Sequence, residues 1–298
     1  MIFRAIHWAS LALTSTCALA AESLPPCSPL PLIDVIEKTA GGDYVQPDAI
    51  DIASAASLFE HHFRNPEEIA DYRSDWQALG FDLVELCHEQ KRWWLIREIN
   101  RRGRGAFLFS ANPDSSLVLQ APHRRDDWGT GRLTAKLAQE NNPRAVAWNT
   151  TPRRIDDEPG PGDADLAHLD RSFLQAFTLG QARGLKNSRL IQIHGYSADK
   201  RKTSRAQKST IIISSGRHFI SAPVFSIYNC LYRQIRGVLI FPDTVKELGG
   251  TTNSQGRLFM EQRQDGFVHL EIDRSLREKL LQSPSLRRTL YQCLATAY

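Results

Sequence analysis

Long apolar runs are scarce in this chain. Beyond the first 21 residues, nothing approaches the ~20 clean apolar residues that a bilayer-spanning helix needs, and no internal repeat or low-complexity tract is present. Cysteine is also sparse: the 298 residues hold five, none in a CxxC or CxxH pattern, which sets thiolate metal sites aside. No GK[ST] phosphate loop occurs. A GxSxG nucleophile elbow is missing too; Ile213-Ser214-Ser215-Gly216 comes nearest and lacks the leading glycine. The net charge of +4 is small, and the basic run Lys200–Lys208 carries no interleaved aromatics, so no nucleic-acid partner is expected. Its five cations read as a solvated loop or as a clasp for a polyanion.

What is there describes a folded, exported protein. With 42% hydrophobic and 23% charged residues, the chain can bury a large core. Arg4, a weakly apolar stretch to Leu19, and Ala18-Leu19-Ala20 before Ala21 predict a signal peptide over 1–20 with cleavage after Ala20. A periplasmic or secreted protein, not stably inserted in the membrane after cleavage, is expected. Removing Cys17 leaves Cys27, Cys87, Cys230 and Cys293, an even set open to three disulfide pairings; Cys27 with Cys293 would tie the two mature ends.

Organisation is predicted as α/β in one domain, 21–298, with 21–104 as an extension packed on it. Helices are expected at 48–62 and 66–80, then a strand meander at 82–88, 92–99 and 105–110. Strand and helix then alternate: helices 130–141, 164–183, 222–234 and 274–282, strands 144–149, 189–194, 210–214, 236–241 and 267–272. The Pro/Gly/Asp stretch 152–163 reads as a surface loop. An α/β fold follows.

Three apolar runs end alike: Leu117 to His123, Leu190 to His194, and Phe267 to Glu271. In open α/β sheets, ligands bind beyond the carboxyl ends of the strands. Two imidazoles and one carboxylate would thus share a crevice, the ligand set of a catalytic zinc with a carboxylate base beside it.

Ala121-Pro122-His123 with Asp126-Asp127 and Thr130-Gly131, Asn149-Thr150 with Arg153, Ile193-His194-Gly195, and Leu270-Glu271 together resemble the zinc carboxypeptidase superfamily. Within it, the likeness is to the N-formylglutamate amidohydrolase and poly-γ-glutamate hydrolase branch, over about residues 105–282. The resemblance implies a mixed, mainly parallel, eight-stranded-type central sheet flanked by helices, one zinc on two histidines and an acid, and hydrolysis of an amide next to a free carboxylate.

His123 and His194 are the expected ligands. Asp126, in HxxD spacing, is the third; Asp127 is its rival, or else orients His123 from behind. Asp165 and His168, three apart on an expected helix, are alternate ligands or a surface pair. Glu271 is the expected general base and His269 its neighbour. Asn149, Arg153, Asn253 and Arg257 are expected to hold an anionic substrate, a small molecule, peptide or polymer, and the Gly-rich stretch 249–257 to cradle it. The alternatives are a peptidoglycan N-acetylmuramoyl-alanine amidase, also a zinc enzyme, and a non-catalytic periplasmic binding protein without metal.

Overall fold

A computed structural model describes residues 31–88, 91–154 and 164–296. The signal peptide, Cys17, Cys27 and most of the 152–163 loop lie outside the described residues.

The chain opens with α1 (Leu32–Lys38) and α2 (Ala49–Arg64), a 3-10 segment at Pro66–Tyr72, and α3 (Arg73–Ala78). The predicted helix 66–80 is thus a 3-10 turn followed by a short α-helix. The meander follows as β1 (Phe81–His88), β2 (Lys91–Glu98) and β3 (Ala106–Ser110). Then come β4 (Leu117–Ala121), α4 (Thr130–Asn141), β5 (Ala145–Trp148), α5 (Phe173–Gly184), β6 (Arg189–Tyr196), α6 (Ser204–Gln207) and β7 (Ile211–Ser214). The last third holds α7 (Ala222–Gln234), β8 (Val238–Ile240), α8 (Ser254–Glu261), β9 (Phe267–Asp273), α9 (Arg274–Gln282) and α10 (Pro284–Leu294).

One nine-stranded sheet runs in the order β1-β2-β3-β5-β4-β6-β9-β7-β8. The expected mainly parallel sheet is corrected: four of its eight pairings are parallel (β5-β4, β4-β6, β6-β9, β7-β8) and four antiparallel. The antiparallel share arises because the meander pairs onto the edge of the same sheet through β3 and β5, and because β7 runs against β9. The centre, β5-β4-β6-β9, is parallel, and its carboxyl ends carry the candidate residues.

Side-chain alternation divides those central strands. One face, with Leu119, Ile191, Ile193, Val268, Leu270 and Ile272, belongs wholly to an apolar core with α4, α7 and α10. The other begins apolar at Val118, Leu190 and Phe267, in an aromatic-rich core with α2 and α5. One step on, it turns polar: Gln120 and His269 both pair in register with Gln192, and His194 pairs with Glu271. The core therefore ends where the site begins.

The expected helix 164–183 starts only at Phe173, where the Ser172 hydroxyl accepts from the Gln175 amide at 3.1 Å. Residues 164–172 are turns, pulled out of helical geometry by bonds into the site described below. The Cys27–Cys293 pairing is also corrected: Cys293 is bonded to Cys230, joining α10 to α7. Cys87 is disulfide-bonded as well.

Candidate metal centre

His123 lies two residues past β4, and a single turn of chain, with the Asp127 amide donating to the His123 carbonyl at 2.8 Å, folds Asp127 back beside it. Asp127 then accepts from the Gly195 amide at 3.0 Å, which pins it against the end of β6 next to His194. Three atoms converge. His123 Nδ1 and His194 Nδ1 are 3.2 Å apart, and Asp127 Oδ2 is 3.5 Å from the first and 3.3 Å from the second. Ligands held 2.0–2.1 Å from a tetrahedral zinc stand roughly 3.3–3.4 Å from one another, so the spacing fits such an ion.

The hydrogen bonds behind the rings decide which nitrogens face inward. His123 Nε2–H donates to Asp165 Oδ1 at 2.7 Å, because an ionised carboxylate can only accept. For His194, the direction is set by a buried amide chain. Thr178 donates to the Leu174 carbonyl and so accepts from Gln120 Nε2 at 3.0 Å. Gln120 Oε1 and Gln255 Oε1 in turn accept from Gln192 Nε2, at 3.0 and 3.1 Å. Gln255 spends its own amide hydrogens on the Leu166 carbonyl and Gln175. Both hydrogens of Gln192 are thereby used, its oxygen must face His194, and His194 Nε2–H donates to it at 2.8 Å. Both Nδ1 atoms then present bare lone pairs to the Asp127 carboxylate.

Three electron-rich atoms facing one point repel one another unless a positive charge lies among them. A proton is one remedy: burial lowers the His123 pKa, but bonds to Asp127 and Asp165 outweigh it and raise the ring to about 9. Burial opposes ionisation of Asp127 and Asp165 as well, yet their histidine partners hold both carboxyls below the usual range. His194, fully enclosed, is lowered by burial. A divalent ion supplies the same charge with two bare imidazoles as ligands, and the donor set fits zinc.

Glu271 stands beside this cluster; it, His194 and His269 offer ligand atoms within 4.8 Å of one another. Its Oε2 is buried with no hydrogen-bond partner. Burial and then the Asp127 charge push its pKa up to about 8. His269 packs its ring on His194 at 4.6 Å and is lowered by burial.

Placement differs among the other expected residues. Asp126 lines the cleft, but its carboxylate turns aside to accept from the Arg153 amide at 2.8 Å, so Asp127 and not Asp126 stands with the histidines. Asp165 buttresses His123, Arg153 (2.7 Å) and His168 (3.0 Å), and His168 sits on a turn rather than a helix. Asn253 lines the cleft, donates to Gln192 and caps α8. Asn149 is buried in backbone contacts with Ala164 and Thr151. Arg257 pairs with Asp170 away from the cleft. Gly250 lines the cleft and, in left-handed conformation, packs on the His269 ring, where a Cβ would approach to 2.7 Å. Gln192 and Gln120 carried no motif in the sequence, although glutamine inside two buried β-runs is itself a signal.

The cleft over the centre measures about 570 Å³, and Arg153, Lys200, Arg201, Arg274 and Arg277 line it. Two of the basic-run cations, Lys200 and Arg201, thus reach the site.

No protein-family model matches the chain, and no curated protein does. Solved structures similar to it include a gene product of Agrobacterium tumefaciens, at 11% identity and TM-score 0.40 over 61% of this chain and 91% of that one. A zinc-free apo form of YNDL is 13% identical, at TM-score 0.38 over 61% and 86%. A bacteriophage poly-γ-glutamate hydrolase is 14% identical, at TM-score 0.33 over 62% and 80%.

Proposed function

We propose that this chain is an exported zinc-dependent amide hydrolase that cleaves an amide or peptide bond next to a free carboxylate. One observation carries the reading: two imidazole lone pairs and a carboxylate oxygen converge at 3.2–3.5 Å, with the buried Glu271 alongside, its Oε2 without a hydrogen-bond partner. The cationic wall of the cleft supports an anionic substrate, and the Cys230–Cys293 disulfide supports an oxidising compartment.

His123, His194 and Asp127 would hold the ion, which when bound would act as a Lewis acid and lower the pKa of water. Asp165 and Gln192 keep the two rings turned to it. Glu271 then takes a proton from the attacking water and passes it to the leaving nitrogen. Arg153, held by Asp165, and the cations opposite orient the substrate carboxylate.

Metal content and hydrolysis of N-acyl-glutamates, poly-γ-glutamate and muropeptides test the proposal together. About one zinc per chain is expected, with activity lost on chelation and restored by zinc. Glu271→Gln should keep the metal and lose roughly 10²–10⁴-fold in kcat. A protein that retains no metal and hydrolyses nothing would be a binding module instead.

A further inference from the structure

A second cleft of about 390 Å³ adjoins the metal centre, and Trp128 lines both. One wall comes from α1, through Ile36 and Glu37; the other comes from Arg124, Arg125 and the start of α4. Arg124 is the unusual member. It is only 8% exposed, its Nε and Nη2 are buried without a partner, and no hydrogen bond or ion pair to its side chain is formed among the described residues. A buried guanidinium without hydrogen-bond partners is unfavourable, because it loses its hydration and regains nothing in exchange. Among the described residues, only the charge of Glu37 acts against that cost, and it does so without a hydrogen bond. Gly131 makes its position possible, since a Cβ there would stand 2.8 Å from the Arg124 Cβ.

The helix beginning at this spot is open as well. Gly129 at the N-cap of the twelve-residue α4 has no side chain to close the first turn, so the amides of Gly131 and Arg132 have no acceptor among the described residues. Uncapped amides and the helix dipole attract anions. Glu37 is the opposing charge; it leans on Arg132 at 3.4 Å and its field also reaches Arg124, but it forms no hydrogen bond or close ion pair with Arg124 or Arg125.

We propose that this cleft is an oxyanion-binding site, in which a carboxylate or phosphate group sits between Arg124, Arg125 and the open first turn of α4. Its position next to Trp128 would let a group remote from the scissile bond reach it along a continuous surface. The site stands independently of the metal, so it can be tested on chelator-treated protein. Titration calorimetry of the full chain with inorganic phosphate and with glutarate should detect binding of at least one; glutarate binding identifies a carboxylate site, and binding of phosphate alone a phosphate site. Arg124→Met should weaken that binding by roughly tenfold or more, and the exposed Arg125→Ala should weaken it too. Arg124→Met should also raise the Tm, because it removes a buried guanidinium whose Nε and Nη2 have no hydrogen-bond partner. If neither anion binds, or if both variants bind as tightly as the parent chain, the proposal is wrong.

Discussion

Gln192 shows how much chemistry one neutral side chain can settle. Its two hydrogens go to Gln120 and Gln255, which leaves only its oxygen for His194 and thereby selects the tautomer whose Nδ1 is free. Gln192→Leu should therefore leave the fold intact and weaken zinc affinity by about 10- to 100-fold, the usual effect of losing such support; competition with a chromophoric chelator measures it. An unchanged affinity would mean that packing alone orients the ring. A second residue makes a pH prediction away from the site. His62 is buried, accepts from Trp76 Nε1–H at 2.8 Å, and is lowered to about 3 by burial. The unfolded chain takes up this proton near pH 6.5 and the folded chain resists it, so stability is full above that pH and declines between 6.5 and about 3. Urea midpoints followed across that window should fall, and His62→Phe should flatten the slope. At this scale, His123, His194 and Glu271 were legible because each ends an apolar run. Asp127 was not separable from Asp126, since the choice depends on one backbone turn and on the Gly195 amide, which lies 68 residues further on.

Elements differ in how plainly they announce themselves. Helices 222–234 and 274–282 lie where the pattern places them, as Pro223 in the first turn and the Asp273 cap predict. Helix α5 does not, because the residues before it are committed to His123 and Arg153 through Asp165. Helices α1, α8 and α10 were not anticipated. Nor was the tight crossing of α5 on α2: a Cβ on Gly180 would meet Phe59 Cβ at 2.5 Å, and one on Gly184 would meet the Glu60 carbonyl at 2.7 Å. These glycines read as weak points in a helix, and in the fold they permit close contact. Gly180→Ala should thus destabilise by about 1–3 kcal/mol through overpacking, despite the better helix propensity of alanine. Thermal denaturation checks the sign, and a stabilised variant would show that the two helices can move apart freely.

For the molecule as a whole, the disulfide and the sheet order matter most. Cys230–Cys293 closes a separation of 63 residues and fastens the last helix to α7. Cys293→Ser should cost about 2–4 kcal/mol of stability, read from denaturant midpoints, while zinc content stays unchanged because the bridge touches no ligand. The candidate metal centre belongs to the parallel middle of the sheet, so loosening one flank should leave its residues in place.

The amino-acid order by itself determined the α/β class, the meander and the three central strands whose carboxyl-terminal ends lead into or carry His123, His194 and Glu271, because alternation and strand length are local properties of the backbone. Tertiary structure alone decided that the sheet is half antiparallel, which aspartate joins the histidines, which nitrogen each ring presents, and that Arg124 is left without a partner. Each of these depends on hydrogen bonds and clearances between residues far apart in the chain, and no local pattern encodes them.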